Sequence, residues 1–204
     1  HTPTRRQRQM CIRDRDRRTQ QFCQNLKKNN YENIIRKKTG LFIDPYFSAT
    51  KIRWILDNVK ESKRLLKSNN LLFGTIDTFL IWKLTKGKRH LTEATNASRT
   101  MLYNINTNQW DKNILKKLKI SHKILPEVKN SADSFGTLDK KIIGQEIPIS
   151  AVLGDQQAAV IGQSCFQKGS IKSTYGTGAF VIMNTGSKKI FSKNKLLTTI
   201  CYRI

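Results

Sequence analysis

Cysteine is scarce in this 204-residue chain: Cys11, Cys23, Cys165 and Cys201 are the four. None has the paired spacing of a zinc site or a disulfide framework, and a reducing, cytoplasmic setting suits them. No apolar run approaches the roughly 20 residues of a membrane span, and the first residues lack the apolar core of a signal peptide. Hydrophobic residues amount to 38%, low for a globular protein. Even so, the segments from Leu71 to Leu84 and Ile147 to Met183 are apolar enough to pack, and the length suffices for one large domain or two small ones. Acidic residues are also few, 14 against 38 basic, for a net charge of +24.

Such an imbalance raises the question of a polyanionic partner, and the distribution of charge answers it. Seven of the 13 arginines fall in the first 18 residues, while the lysines are spread through every later segment. The body therefore carries a basic background and not a stripe. No aromatic-interleaved basic motif is present, so no nucleic-acid partner is expected; a basic binding module is the distant alternative, with salt-sensitive affinity as its mark. The head "HTPTRRQRQMCIRDR" differs in composition from all that follows and has no apolar periodicity. Met10 to Asp14 matches one reading frame of a sequencing-adapter end, and residues 1–15 are expected to be adapter-derived and outside the native fold.

Periodicity outlines the body. Phe22, Cys23 and Leu26 predict a helix from Thr19 to about Asn30. A second helix is predicted from about Ser48, whose hydroxyl is placed to cap it, with Ile52, Ile55 and Leu56 as its apolar stripe. Leu71 to Phe73 reads as a short strand, followed by a helix capped by Asp77 or Thr78 and ending at Gly87. "TNASRT", Thr95 to Thr100, is dense in hydrogen-bonding side chains and reads as a structured turn; its N-x-S sequon at Asn96 has no secretory context to act in. Trp110, Ile114, Leu115 and Leu118 predict one more amphipathic helix.

Two short stretches carry candidate chemistry. In "PISAVLGDQQAAVIGQ", Ile149 to Leu153 reads as a buried strand and Gln156 to Gln163 as a helix, which puts Asp155 at the junction. A carboxylate there is either a helix cap or a group at the rim of a sheet, where open α/β folds bind ligands. In "GSIKSTYGTGAFVIMNTG", Ser170 to Tyr175 and Ala179 to Asn184 read as a hairpin joined by Gly176, Thr177 and Gly178. Such a turn either only turns the chain or brings backbone N–H groups and a threonine hydroxyl to a phosphate.

"YFSATKIRWILDN", "LLFGTIDTFLIWKLTKG", "TNASRTMLYNINT", "GDQQAA" and "STYGTGAF", in this order, resemble the FGGY family of carbohydrate kinases, in the branch that phosphorylates glycerol. The likeness runs from Asp16 to about Ile200. It implies a ribonuclease H-like, actin-type α/β fold, as part of a two-domain kinase with ATP and substrate in the cleft between domains. Residues 16–167 would be the later part of the first domain and 168–204 the beginning of the second. By the resemblance, Asp155 is the general base toward a glycerol hydroxyl; Gln156 bonds glycerol, Tyr46 closes on it and Phe180 walls its carbons. Gly176, Thr177 and Gly178 contact nucleotide phosphate, with ATP and Mg2+ implied as cofactors, no protein metal site, and possible oligomers in the complete enzyme. "GDQQ" with "PYF" favours glycerol, another polyol or sugar being the alternative within the family.

This chain departs from the family pattern in two ways. Asp16, Arg17, Arg18 and Thr19 agree with it, but the tryptophan and glutamine positions just before them hold Asp14 and Arg15. The family's first phosphate loop, its glycerol-gripping Arg-Glu pair and most of its second domain have no counterpart here. The 204 residues alone are accordingly expected not to turn over ATP.

Overall fold

The computed structural model describes residues 16–176 and 178–204. The head expected to be foreign, residues 1–15, lies outside the described residues. Helices dominate the first half. α1, Gln20–Lys28, buries Cys23 and Leu26, and α2, Tyr31–Thr39, stops at Gly40 in the left-handed conformation at φ 74°. α3, Ser48–Asn58, buries Ile52 and Leu56, whereas Ile55 of the predicted stripe is 45% exposed. Ser48 is not the cap: Phe47 holds that position and Ser48 is the first helical residue. The Ala49 N–H instead donates to the Thr100 carbonyl at 2.9 Å, so a distant segment satisfies a donor that a capping side chain usually serves. α4, Lys60–Lys67, follows directly.

Leu71 to Phe73 is extended but forms no strand; Phe73 links it to the body, its N–H donating to the Ile124 carbonyl at 2.7 Å and its carbonyl accepting from His90 Nε2 at 2.7 Å. α5, Ile76–Leu84, starts after Thr75. Neither Asp77 nor Thr78 caps it. Asp77 lies buried in its first turn and turns toward β1, Leu91–Glu93, where it accepts from the Thr92 hydroxyl at 2.7 Å and the Glu93 N–H at 3.1 Å. β1 runs parallel to β4, Glu127–Lys129. Between them lie α6, Ala94–Ala97, which realises the structured turn, the antiparallel pair β2, Tyr103–Asn104, with β3, Gln109–Trp110, and α7, Lys112–Lys117. The main core gathers Leu41, Ile43, Leu56, Leu102, Tyr103 and Leu118 beneath these elements.

The predicted strand Ile149–Leu153 is instead part of a broken antiparallel ladder. β5, Thr137–Leu138, pairs with β6, Ile147–Pro148, after α8, Lys140–Ile143, and an isolated bridge joins Ala132 to Ala151. Gly136 at φ 104° lies where the ladder is interrupted, and Pro148 has no N–H to donate, so the pairing is not continuous. α9, Asp155–Gly162, follows. β7, Ile171–Tyr175, and β8, Ala179–Met183, form the predicted hairpin in full register. The chain then returns to the body: Thr198 donates to the Gly40 carbonyl at 3.0 Å, and the Ser131 N–H donates to the Arg203 carbonyl at 2.7 Å.

Asp111 ties the helical half together. Its carboxylate caps α7 through the N–H groups of Asn113 and Ile114, at 3.1 and 2.9 Å, and accepts from Lys38 at 2.9 Å and Asn104 at 2.8 Å. Burial pushes this carboxyl up, but the Ile114 N–H, Lys38 and Asn104 outweigh burial and hold it below the ordinary aspartate value. Because the folded value is the lower one, the stabilisation is complete above about pH 4 and is lost as pH falls through the folded value. Asp111→Ala should cost about 2 kcal/mol in urea unfolding at neutral pH. Asp111→Asn should flatten the fall in stability of the parent chain below about pH 4, which melts across pH would measure.

Candidate functional site

The site is built around the start of α9. Gly154, not Asp155, occupies the cap position, and Asp155 is the first helical residue, exposed, with the adjacent Gln156 N–H as its recorded bond at 2.8 Å. The capping alternative is therefore not what the fold uses; the carboxylate is left facing outward. What fixes it is the residue before. The Gly154 N–H donates to Thr95 Oγ1 at 2.9 Å, and a Cβ at Gly154 would stand 2.7 Å from Gln157 Oε1 and 3.3 Å from Thr95 Oγ1, so a side chain there would have to displace the Gln157 amide. Thr95 in turn donates its hydroxyl to Glu93 Oε2, which also accepts the Thr95 N–H at 2.8 Å. Ser131 donates to the other Glu93 oxygen, and Glu93 has no exposed surface.

Tyr46, the residue expected to close on a substrate, is 54% exposed on the loop before α3. Its ring meets that of Phe47 edge to face, with centroids 5.3 Å apart. The Arg99 guanidinium lies 5.3 Å from the Phe47 ring centre and 6.0 Å from that of Tyr46. Burial lowers the Arg99 pKa, while the Tyr46 hydroxyl and the Asp155 carboxylate pull it the other way. Arg99 thus packs against two aromatic rings that lie more than 50 positions before it in the chain. It was not singled out in the sequence; its signal is an arginine set within an otherwise buried, hydroxyl-rich turn, where a charge needs a reason to be. A cleft of about 350 Å³ opens beside Tyr46, lined also by Asp16, Arg17, Gln20 and Asp44, and does not reach Asp155.

On the other side stands the hairpin. Lys172 is only 1% exposed and donates to Gln156 Oε1 at 2.8 Å. Lys172 pairs across the ladder with Ile182, and Thr174 with Phe180, so these four share one face. Phe180 is thereby brought to the same face as the lysine that holds Gln156. The opposite face presents Ile171, Tyr175, Val181 and Met183, all exposed. At the turn, a Cβ on Gly176 would meet nothing within 4 Å, and its φ is not in the left-handed region. The turn itself therefore does not demand glycine there, and bare backbone with open space fits a phosphate approaching closely. Thr177 lies outside the described residues. Among the described residues no cluster of three or more His, Cys, Asp or Glu side chains could hold a metal, and no helix is long and apolar enough to cross a membrane.

Solved structures of sugar kinases share this architecture. A xylulose kinase from Lactobacillus acidophilus, at 22% identity, superposes over 80% of this chain and 33% of its own with a TM-score of 0.67, a likeness of fold. The glycerol kinase of Plasmodium falciparum, solved with ADP, superposes over 91% of this chain and 37% of its own, with a TM-score of 0.87 and 42% identity. The fold is accordingly the ribonuclease H-like, actin-type α/β class. Residues 4–162 match the N-terminal domain of the FGGY family of carbohydrate kinases, and the chain belongs to that family. Glycerol kinases from Chelativorans sp. (strain BNC1) and Malacoplasma penetrans (strain HF-2) are 58% and 55% identical to it, each over 93% of this chain. The chain spans 38% of the length of these relatives.

Because Thr95 accepts from Gly154 and donates to Glu93, its hydroxyl is the hinge pin of the Asp155 turn. Thr95→Val keeps the shape but leaves a buried N–H and a buried carboxylate each short of a partner. It should lower stability by about 1–3 kcal/mol in denaturant unfolding, whereas Thr95→Ser should stay close to the parent chain.

Proposed function

We propose that this chain forms one wall of an ATP:glycerol phosphotransferase site within a longer kinase, residues 16–167 belonging to its first domain and 168–204 opening its second. The observation that carries the reading is the placement of Asp155: exposed, relieved of capping, and held by the Gly154 bond to Thr95. In this role Asp155 accepts the proton of a glycerol hydroxyl as its oxygen forms a bond to the γ-phosphorus and the bond from that phosphorus to the β,γ-bridging oxygen breaks, leaving ADP. ATP with Mg2+ supplies the phosphoryl group and neutralises its charge, and the turn at Gly176, Thr177 and Gly178 would hold the phosphates. Gln156 bonds a second hydroxyl of the polyol, Tyr46 covers it, and Phe180 lies along its carbons.

The bare face of β7 and β8 supports a site completed by further chain, since a two-stranded hairpin is marginal alone. With only part of the cleft present, the 204-residue chain should show no ATP-dependent phosphorylation, as transfer depends on surrounding both substrates.

The deciding experiment assays a full-length kinase containing this chain against a panel of polyols and sugars, with Asp155→Asn beside it. Glycerol should be preferred, and Asp155→Asn should lower kcat by about 10³-fold or more with the fold intact. Preference for another polyol would replace the substrate and keep the mechanism; retained turnover in the variant would refute the base. Phe180→Ala should raise the KM for the polyol about tenfold with little change in kcat, and an unchanged KM would remove Phe180 from the wall.

A further inference from the structure

Lys172 is the least expected group near the site. Its side chain is 1% exposed, yet among the described residues it pairs with no carboxylate, and its recorded bond is to the neutral amide oxygen of Gln156 at 2.8 Å. A buried ammonium without a counter-charge is costly, so its position calls for a use. An ammonium has donors only, whereas a glutamine amide offers an acceptor at one end and two donors at the other. Lys172 can therefore face only the oxygen. The consequence is that Gln156 is held in one of its two amide orientations, with its NH2 group turned away from the lysine.

The geometry points to Lys172 as a positioning residue that sets Gln156 as a hydrogen-bond donor beside the acceptor Asp155, so that the pair reads two hydroxyls of one polyol in opposite senses. This rests on the reading of Asp155 and Gln156 as the polyol site. The hydroxyl that loses its proton faces the carboxylate; the second hydroxyl accepts from the amide. Lys172 belongs to the hairpin and Gln156 to α9, so the donor is fixed only when these two elements are docked. The same strand face carries Phe180 two pairs along, which couples the reading of hydroxyls to the apolar wall. A free amide would offer either end, and an analogue lacking the second hydroxyl would then be rejected less strongly, since no oriented donor is left unpaired.

The test compares glycerol with propane-1,2-diol and propane-1,3-diol in the full-length kinase, using Lys172→Met and Lys172→Arg. One diol or the other lacks the hydroxyl that faces Gln156. The parent enzyme should prefer glycerol over that diol by about 100-fold in kcat/KM, Lys172→Met should reduce the preference to under about tenfold through KM, and Lys172→Arg, donor-only like lysine, should retain it. Undiminished discrimination against both diols in Lys172→Met overturns the proposal. A second readout needs no turnover: in the 204-residue chain labelled with 15N-glutamine, Lys172→Met should shift the Gln156 side-chain NH2 resonances and Lys172→Arg should largely preserve them. Unmoved resonances in Lys172→Met also overturn it. A parent enzyme that phosphorylates no polyol would defeat the reading of the site, while the amide resonances would still decide the orientation set by Lys172.

Discussion

A carboxylate with no exposed surface holds the structure around the site together. Glu93 ends β1, caps α6 through the N–H groups of Thr95 and Asn96, and accepts the hydroxyls of Thr95 and Ser131. A buried charge is tolerated only when such donors replace water. Here Thr95 and Asn96 are close in sequence, but the Ser131 hydroxyl comes from 38 residues away, so satisfying the carboxylate also ties β1 to a distant segment. Ser131 additionally donates its N–H to the Arg203 carbonyl and receives the Arg203 N–H on its hydroxyl. Asp77 extends the same network by accepting the Glu93 N–H. The turn carrying Asp155 is tied to this network by the Gly154 N–H on Thr95, and the segment before it by the Val152 N–H on the Ser131 carbonyl.

Around that turn the structure assembles two cations of different kinds. Arg99 is half-buried among aromatic rings and feels both the Tyr46 hydroxyl and the Asp155 carboxylate. Its delocalised, weakly hydrated charge suits such a setting. Lys172 is a compact charge that touches Gln156. Gln156 and Tyr46 thus each acquire a cationic neighbour, and in the proposed kinase such preorganisation is what phosphoryl transfer would demand of the protein. The overall charge of +24 contributes little to this picture, because most of it is spread over the surface.

All four sheets of the described residues are two-stranded. That is unusual for the α/β class and agrees with a chain spanning 38% of the length of its relatives. The edges of these sheets are open, and the apolar outer face of the hairpin is uncovered.

Several features were legible in the sequence for local reasons. The helix at Gln20–Lys28, the hairpin around Gly176 to Gly178 and the start of a helix at Asp155 follow from apolar spacing and glycine placement alone. The family likeness marked Tyr46, Asp155, Gln156 and Phe180. The misreadings share one cause: Ser48, Asp77 and the run Ile149–Leu153 have side chains or spacing that suit a local role, while the bonds at these places run from Ala49 to Thr100, from Thr92 to Asp77 and between the 149–152 and 131–136 segments. Sequence by itself determined which residues can donate, accept, turn or pack. Tertiary structure alone decided that Asp155 is free of capping, that Arg99 lies over the Tyr46 and Phe47 rings, and that Lys172 faces Gln156. Those are contacts between segments whose order in the chain says nothing of their distance, and they exist only once burial forces each polar group to find the partner that the fold supplies.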